Sequence, residues 1–282
     1  MDNGIEWLNI LKSCKENVKK HVQPLLETIK EPQPELGSGA GGDVMKPADL
    51  AAEKAIIEVF LQNEIPFTLV SEESGIREFG LTPREYFVTA DPIDGTTNLV
   101  HGLPFYASSI AVSTEPKLSK VFAGMVTDLH HDITYTAQKG KGAIKDGKKI
   151  TPATTSSLEE ALIGLDLNTY KVKDVAPQLT ELIHETKHIR HFGANALEIC
   201  YVADGLTDAF VDIRGKIRAT DIAAAYLIVE EAGATMTTPQ GTPLDLKLDP
   251  TQKLKFVASA NPKLHRIIIN LLKQAREKEN KC

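Results

Sequence analysis

The amino-acid sequence predicts a mixed α+β and α/β protein in which helices are layered on two sheets. Three observations carry that expectation. Apolar side chains recur at helical spacing near the N-terminus, hairpin-linked strands fill the middle, and strands alternate with helices beyond about residue 155. The 282 residues, with 42% hydrophobic and 25% charged side chains, are ample for a sizeable core and exclude a disordered, collagen-like or coiled-coil chain.

The first helix is predicted within residues 3–30, on the spacing of Ile5, Leu8, Leu11, Val18, Val22, Leu25 and Ile29. Pro24 predicts a kink or break in it, and "KEPQPE" stops it, because proline removes a donor and disfavours helical geometry before it. A glycine-rich "GSGAGGD" follows. The second helix starts at Pro47, where a first-turn proline is tolerated, and runs to about Gln62 with Leu50, Ile56, Ile57 and Phe60 on its buried side.

"FTLVSEES", "EYFVTADPID", "FYASSIAVS", "VFAGMVTDL" and "DITYTAQKGKGAI" read as the strands of a mostly antiparallel sheet. The polar "PATTSSLEEA" suggests a boundary that divides the chain into 1–155 and 156–282. A mixed second sheet is expected from "ALIGLDL", "IRHFG", "DAFVDIRG" and "KFVASA". Helices fall over about 173–187, 194–204, "ATDIAAAYLIVEEAGA" and the C-terminus.

The net charge of -6 argues against a nucleic-acid surface. No apolar run approaches the ~20 residues that span a bilayer, and the N-terminus lacks the layout of a secretory signal. Cys14, Cys200 and Cys282 are scattered and odd in number, which fits reduced thiols in a cytoplasmic protein.

Carboxylates stand at the ends of three predicted elements. Glu72 and Glu73 follow "FTLVS", Asp91 and Asp94 follow "EYFVT", and Asp221 opens the helix "DIAAAYLIVEEAGA". Hard cations such as Mg2+ take oxygen ligands, and carboxylates gathered without one repel each other. In "DPIDGTTN", Pro92 presets a turn that aims both carboxylates and the Ile93 carbonyl at one pocket, and Gly95 relieves the backbone. Each piece also has a plainer reading: a surface turn, a solvated loop, or an Asp that caps a helix.

"DPIDGTTNLVHGLPFYASSIAV", "TDIAAAYLIVEEAGA", "VSEES" and "DVMKPADLAAEKAI" together resemble, in order, the signatures of the inositol monophosphatase superfamily of metal-dependent phosphatases. The resemblance covers about residues 43–262 and implies a layered αβαβα sandwich and a homodimer. It implies that Glu72, Asp91 and the Ile93 carbonyl hold one Mg2+, that Asp91, Asp94 and Asp221 hold a second, and that a third, weaker ion lies near Glu72. Thr96 would pair with Asp49 to orient the attacking water, and Asp94, Gly95 and Thr96 would touch the phosphate of a small-molecule ester.

Animal members place an acid shortly before the last metal ligand; here the stretch is the basic "IRGKIR". That departure resembles the archaeal members that act on both fructose 1,6-bisphosphate and inositol monophosphates. Arg190, Asn195 and Arg214 match their substrate positions, and arginine binds phosphate oxygens bidentately. The plainer reading makes Arg190, Arg214, Lys216 and Arg218 solvated charges around a hairpin and Asn195 a helix cap. Two rivals stand beside the sugar phosphatase: an adenosine 3′,5′-bisphosphate 3′-phosphatase, and a non-catalytic regulator on the same scaffold. His130 and His131 fall at a hairpin turn far from the acids, and Trp7 serves packing.

Overall fold

A computed structural model describes residues 4–26, 36–42, 44–173 and 175–279. Helix α1 (Trp7–Leu26) buries Trp7, Leu11, Cys14, Val18 and Val22 along one stripe. It does not break at Pro24. The proline stands inside the helix, where its missing N–H removes one backbone hydrogen bond. Ile29 and the "KEPQPE" stop lie outside the described residues. Helix α2 (Pro47–Gln62) has the predicted limits and is tied to α1 by Asn17 Nδ2 donating to the Ala55 carbonyl at 2.9 Å.

The chain then builds β1 (Phe67–Ser71), β2 (Gly75–Phe79), β3 (Phe87–Asp94), the short α3 (Thr96–His101), β4 (Ala107–Ser113), β5 (Val121–Asp128), β6 (Ile133–Gln138), β7 (Ala143–Lys145) and β8 (Lys148–Lys149). These strands form one sheet in the order β2-β1-β3-β4-β5-β6-β7-β8. Only β1 and β3 run parallel, so the sheet is mostly antiparallel as expected. Strand β2 was not anticipated. Its central Ile76, Arg77 and Glu78 are exposed at the sheet edge and leave no apolar alternation to read.

Next come β9 (Leu162–Leu165), α4 (Val175–Glu185), β10 (His188–Arg190), α5 (Asn195–Ala203), β11 (Ala209–Asp212), α6 (Ala219–Ala232), β12 (Thr235–Thr237), β13 (Phe256–Ser259) and α7 (Pro262–Glu279). The second sheet, in the order β10-β9-β11-β13-β12, mixes parallel and antiparallel pairs. The segment "IRGKIR" is not part of a hairpin; it is the loop that carries β11 into α6.

Three apolar slabs cement the layers. The first joins α1 and α2 to the large sheet through Leu11, Ile56, Phe60, Phe67 and Ile110. The second fills the space between the sheets around α5 and α6, with Tyr135, Leu197, Ile228, Phe210 and Phe256. The third seals α4 and α7 on the outer face of the small sheet. The result is an αβαβα sandwich. Alanines 223–225 let α6 lie close to the large sheet: a Cβ on Gly124 of β5 would stand 3.2 Å from the Ala224 Cα. Cys14 and Cys200 are buried free thiols; Cys282 is outside the described residues. Among the described residues, no helix is long and apolar enough to cross a membrane.

Candidate active site

Strand β3 ends in a bulge, not in the turn expected of Asp-Pro-Ile-Asp. Asp91 faces Ser109 of β4 while Asp94 faces Ala107, so β3 carries one residue more than its partner over this interval. Side chains alternate along a strand, and an extra residue resets the alternation, bringing positions three apart to the same side. Ile93 stays in the core under α1 and α2. The reversal comes one residue later, at Gly95 with φ 87. A Cβ there would lie 3.0 Å from the Ala194 Cβ and 3.1 Å from the Phe105 carbonyl, so both conformation and space demand glycine.

Glu72 follows β1, which is hydrogen-bonded to β3, and Asp221 lies in the first turn of α6. One oxygen from each of Glu72, Asp91 and Asp221 lies within 4.8 Å of the others. Asp49 and Asp221 hold equivalent places: each is the third residue of its helix and accepts the backbone N–H of the residue before that helix, Lys46 at 3.1 Å and Arg218 at 2.9 Å. An acid there satisfies an orphan donor and the positive end of the helix dipole. Asp221 is therefore within the helix and not at its cap.

Asp91 and Asp94 stand where ionisation is costly. Burial, then the neighbouring Glu72, Asp94 and Asp221, pushes Asp91 well above the usual carboxylate range, with Arg218 acting in the opposite direction. Burial and Asp221 push Asp94 up to about 7, against the pull of the amides of Ala196 and Asn195. The Asp91 Oδ1 is buried with no hydrogen-bond donor on it. An all-oxygen donor set with such an atom at its centre fits a hard divalent cation.

Beside this cluster the Thr96 hydroxyl lies 3.1 Å from Asp49 Oδ1 and 2.9 Å from the Ile93 carbonyl. Burial raises the Asp49 carboxyl to about 6, although the hydrogen bonds from Thr96 and Lys46 lower it.

The second half of the chain closes the cleft. Asp94 accepts the N–H groups of Asn195 at 3.0 Å and Ala196 at 2.6 Å, so an acid of the large sheet caps α5. The cleft, about 620 Å³, is lined by Asp49, Glu72, Asp91, Ile93, Asp94, Gly95, Thr96, Asn195, Arg214 and Asp221 among the expected residues. Arg190 is not among them. It is exposed on β10 and its Nη1 donates to the Ile189 carbonyl. Arg214 is in the wall but is largely committed to acids: Nε and Nη2 meet Asp212 at 3.0 and 2.6 Å, and Nη2 also pairs with Asp166. His131 Nδ1 pairs with Asp128 at the β5–β6 turn, and Trp7 packs on Tyr86 with ring centroids 4.6 Å apart.

Sequence reasoning missed Asp166, Asn168 and His191, which line the cleft near Arg214, and it missed the role of Arg218. Far from being a solvated charge, Arg218 reaches Glu72 Oε1 at 2.5 Å and Asp221 Oδ1 at 3.4 Å. Asp166, at the end of "ALIGLDL", could have been found as an acid after a buried strand. Nothing local marks Arg218, whose partner Glu72 lies 146 positions away.

Fold and cleft together define a phosphatase whose acids gather at the seam between two sheets. The chain belongs to the inositol monophosphatase family, which matches residues 8–277. It is 34% identical to the fructose-1,6-bisphosphatase/inositol-1-monophosphatase of Methanothermobacter thermautotrophicus over 94% of this chain and 96% of that protein. It is 31% identical to the bifunctional NADP phosphatase/NAD kinase of Methanococcus maripaludis, over 95% of this chain but 49% of that protein. The crystal structure of an inositol monophosphatase–fructose 1,6-bisphosphatase superposes with a TM-score of 0.83 at 30% identity, covering 95% of this chain and 100% of that one.

Proposed function

We propose that this cleft hydrolyses sugar phosphate monoesters, fructose 1,6-bisphosphate and inositol monophosphates, with Glu72, Asp91, Asp94, Asp221 and the Ile93 carbonyl holding two or three Mg2+ ions. The observation that carries the reading is the contact of Thr96 with Asp49 beside the acid cluster on one cleft wall. When bound, divalent cations neutralise the phosphate oxygens and the oxygen that leaves. Asp49 accepts from the Thr96 hydroxyl and turns a Thr96 lone pair toward the cleft. A water that donates to that lone pair is aimed at phosphorus; as its oxygen bonds to phosphorus the ester P–O bond breaks, its proton moves to Thr96 Oγ1 while the threonine proton moves to Asp49 Oδ1, and the departing alkoxide takes a proton from solvent water. Gly95 and Thr96 flank the phosphate. Asn195 and Arg214 meet the remainder of the ester; Arg190 would have to leave its present position to do so.

The identity shared with the archaeal fructose-1,6-bisphosphatase/inositol-1-monophosphatases, over almost the whole length of both chains, supports the substrate. The family resemblance supports a homodimer, which sedimentation tests. A second reading is a nucleotide 2′-phosphatase, favoured by the two relatives named bifunctional NADP phosphatase/NAD kinase. Turnover of fructose 1,6-bisphosphate, inositol 1-phosphate, NADP and adenosine 3′,5′-bisphosphate, side by side with Mg2+, decides between them. Hydrolysis of NADP alone would replace the first reading with the second, and hydrolysis of none would sink both.

A further inference from the structure

Acids that share a cleft need positive charge among them, and the chain supplies some of its own. Arg218 Nη2 lies 2.5 Å from Glu72 Oε1, Nε lies 3.4 Å from Asp221 Oδ1, and Nη1 donates to the Gly41 carbonyl at 3.1 Å. The side chain is only 11% exposed. The glycine-rich loop rests on the same spot: Gly41 N–H donates to the Glu72 carbonyl at 2.8 Å and Ala40 N–H to the Glu73 carbonyl at 2.9 Å. One guanidinium thus ties the end of β1, the start of α6 and a loop 177 positions away. Gly41 is shaped to this seat. A Cβ there would run into Arg218 Nη1 and stand 2.9 Å from Glu72 Cγ, although the backbone itself does not require glycine.

We propose that the Arg218 guanidinium is a resident cation of the acid cluster, holding the Glu72 side in place of one divalent ion and clamping the glycine-rich loop onto it. This inference rests on the metal-dependent reading above and narrows its two or three ions to two: Glu72 keeps its place on the ion it shares with Asp91 and the Ile93 carbonyl, and the guanidinium stands where a further ion beside Glu72 would sit. A guanidinium is permanently charged, planar and weakly hydrated. Because it is tethered at the start of α6, it needs no free ion in solution to be present. The side of the cluster formed by Asp91 and Asp94, with the undonated Asp91 Oδ1, is left to divalent ions.

Equilibrium dialysis of the metal-stripped full chain against Mn2+ counts the ions bound. Arg218→Met is expected to bind about one ion more per chain than wild type at equal free Mn2+, because Glu72 regains an unneutralised charge. An unchanged or lower count in Arg218→Met overturns the proposal. Should that variant fail to fold, Arg218→Gln, which keeps every acid and removes the positive charge, decides by the same count. A wild-type chain that binds no ion overturns this proposal together with the metal-dependent reading. A wild type that binds ions, with equal counts in the variants, overturns this proposal alone.

Discussion

The Thr96 hydroxyl meets Asp49 Oδ1 at 3.1 Å across 47 positions of sequence, joining the residue after the β3 bulge to the first turn of α2. The pair stands next to the acids without being needed to gather them, so its removal separates chemistry from ion binding. Thr96→Val and Asp49→Asn are expected to lower kcat by about 10²–10⁴-fold, the usual worth of a positioned acid or base. Mn2+ binding measured by dialysis stays near the wild-type value. Loss of ion binding in step with kcat would refute the assignment.

Asp91 is the acid most burdened by burial and by its neighbours. Asp91→Asn keeps the shape and removes a buried charge. Without divalent metal the variant should melt a few degrees above wild type, on the order of 2–4 °C per kcal/mol for a chain of this size. With Mg2+ the order reverses, because wild type gains from ligand binding and the variant does not. Calorimetry with and without EDTA reads both outcomes.

The pH dependence has a definite sign. Asp49 at about 6 and Asp94 at about 7 hold protons in the folded state that the unfolded chain releases near 4. Where the folded state binds more protons, stability falls as pH rises. The metal-free protein should therefore gain stability as pH is lowered from about 7 toward 4, the window between the folded and unfolded values. Saturating Mg2+ should weaken or invert that slope, since the ion binds the deprotonated acids. Melting midpoints that climb with pH in EDTA would contradict this. The same protonation of Asp49 should make kcat fall below about pH 6.

Arg214 and Arg190 should behave differently. Arg214→Met leaves Asp166 and Asp212 buried without their shared cation, a loss of roughly 3–5 kcal/mol in denaturant melts. Arg190→Ala touches an exposed side chain and should change neither stability nor kcat/KM for fructose 1,6-bisphosphate by more than about twofold. A large KM effect at Arg190 would mean that β10 shifts toward the cleft when substrate binds.

The elements that the sequence discloses best are those whose pattern is local. Helix α2 declares itself through Pro47 and its apolar face, and the strands β3 to β6 through β-branched runs and turn residues. Asp91, Asp94 and Asp221 were visible as acids at the ends of elements. What stayed hidden depends on partners far along the chain or on strand register. The β3 bulge shows only against Ser109 and Ala107 of β4. The place of Arg218 follows from the loop around Gly41, and the bonds of Asp94 to α5 follow from how the two sheets stack. Edge strand β2 escaped because an exposed edge carries no alternating apolar signal.

The bonds from Asp94 to Asn195 and Ala196 make one carboxylate belong to both halves of the molecule. Grafting the second half of a relative would replace the amides that hold this acid. Under the proposed assignment of Asp94 to an ion, exchanging residues 156–282 would disturb the ion site together with the cleft wall, and a chimera joined near residue 155 would have to be retuned for both.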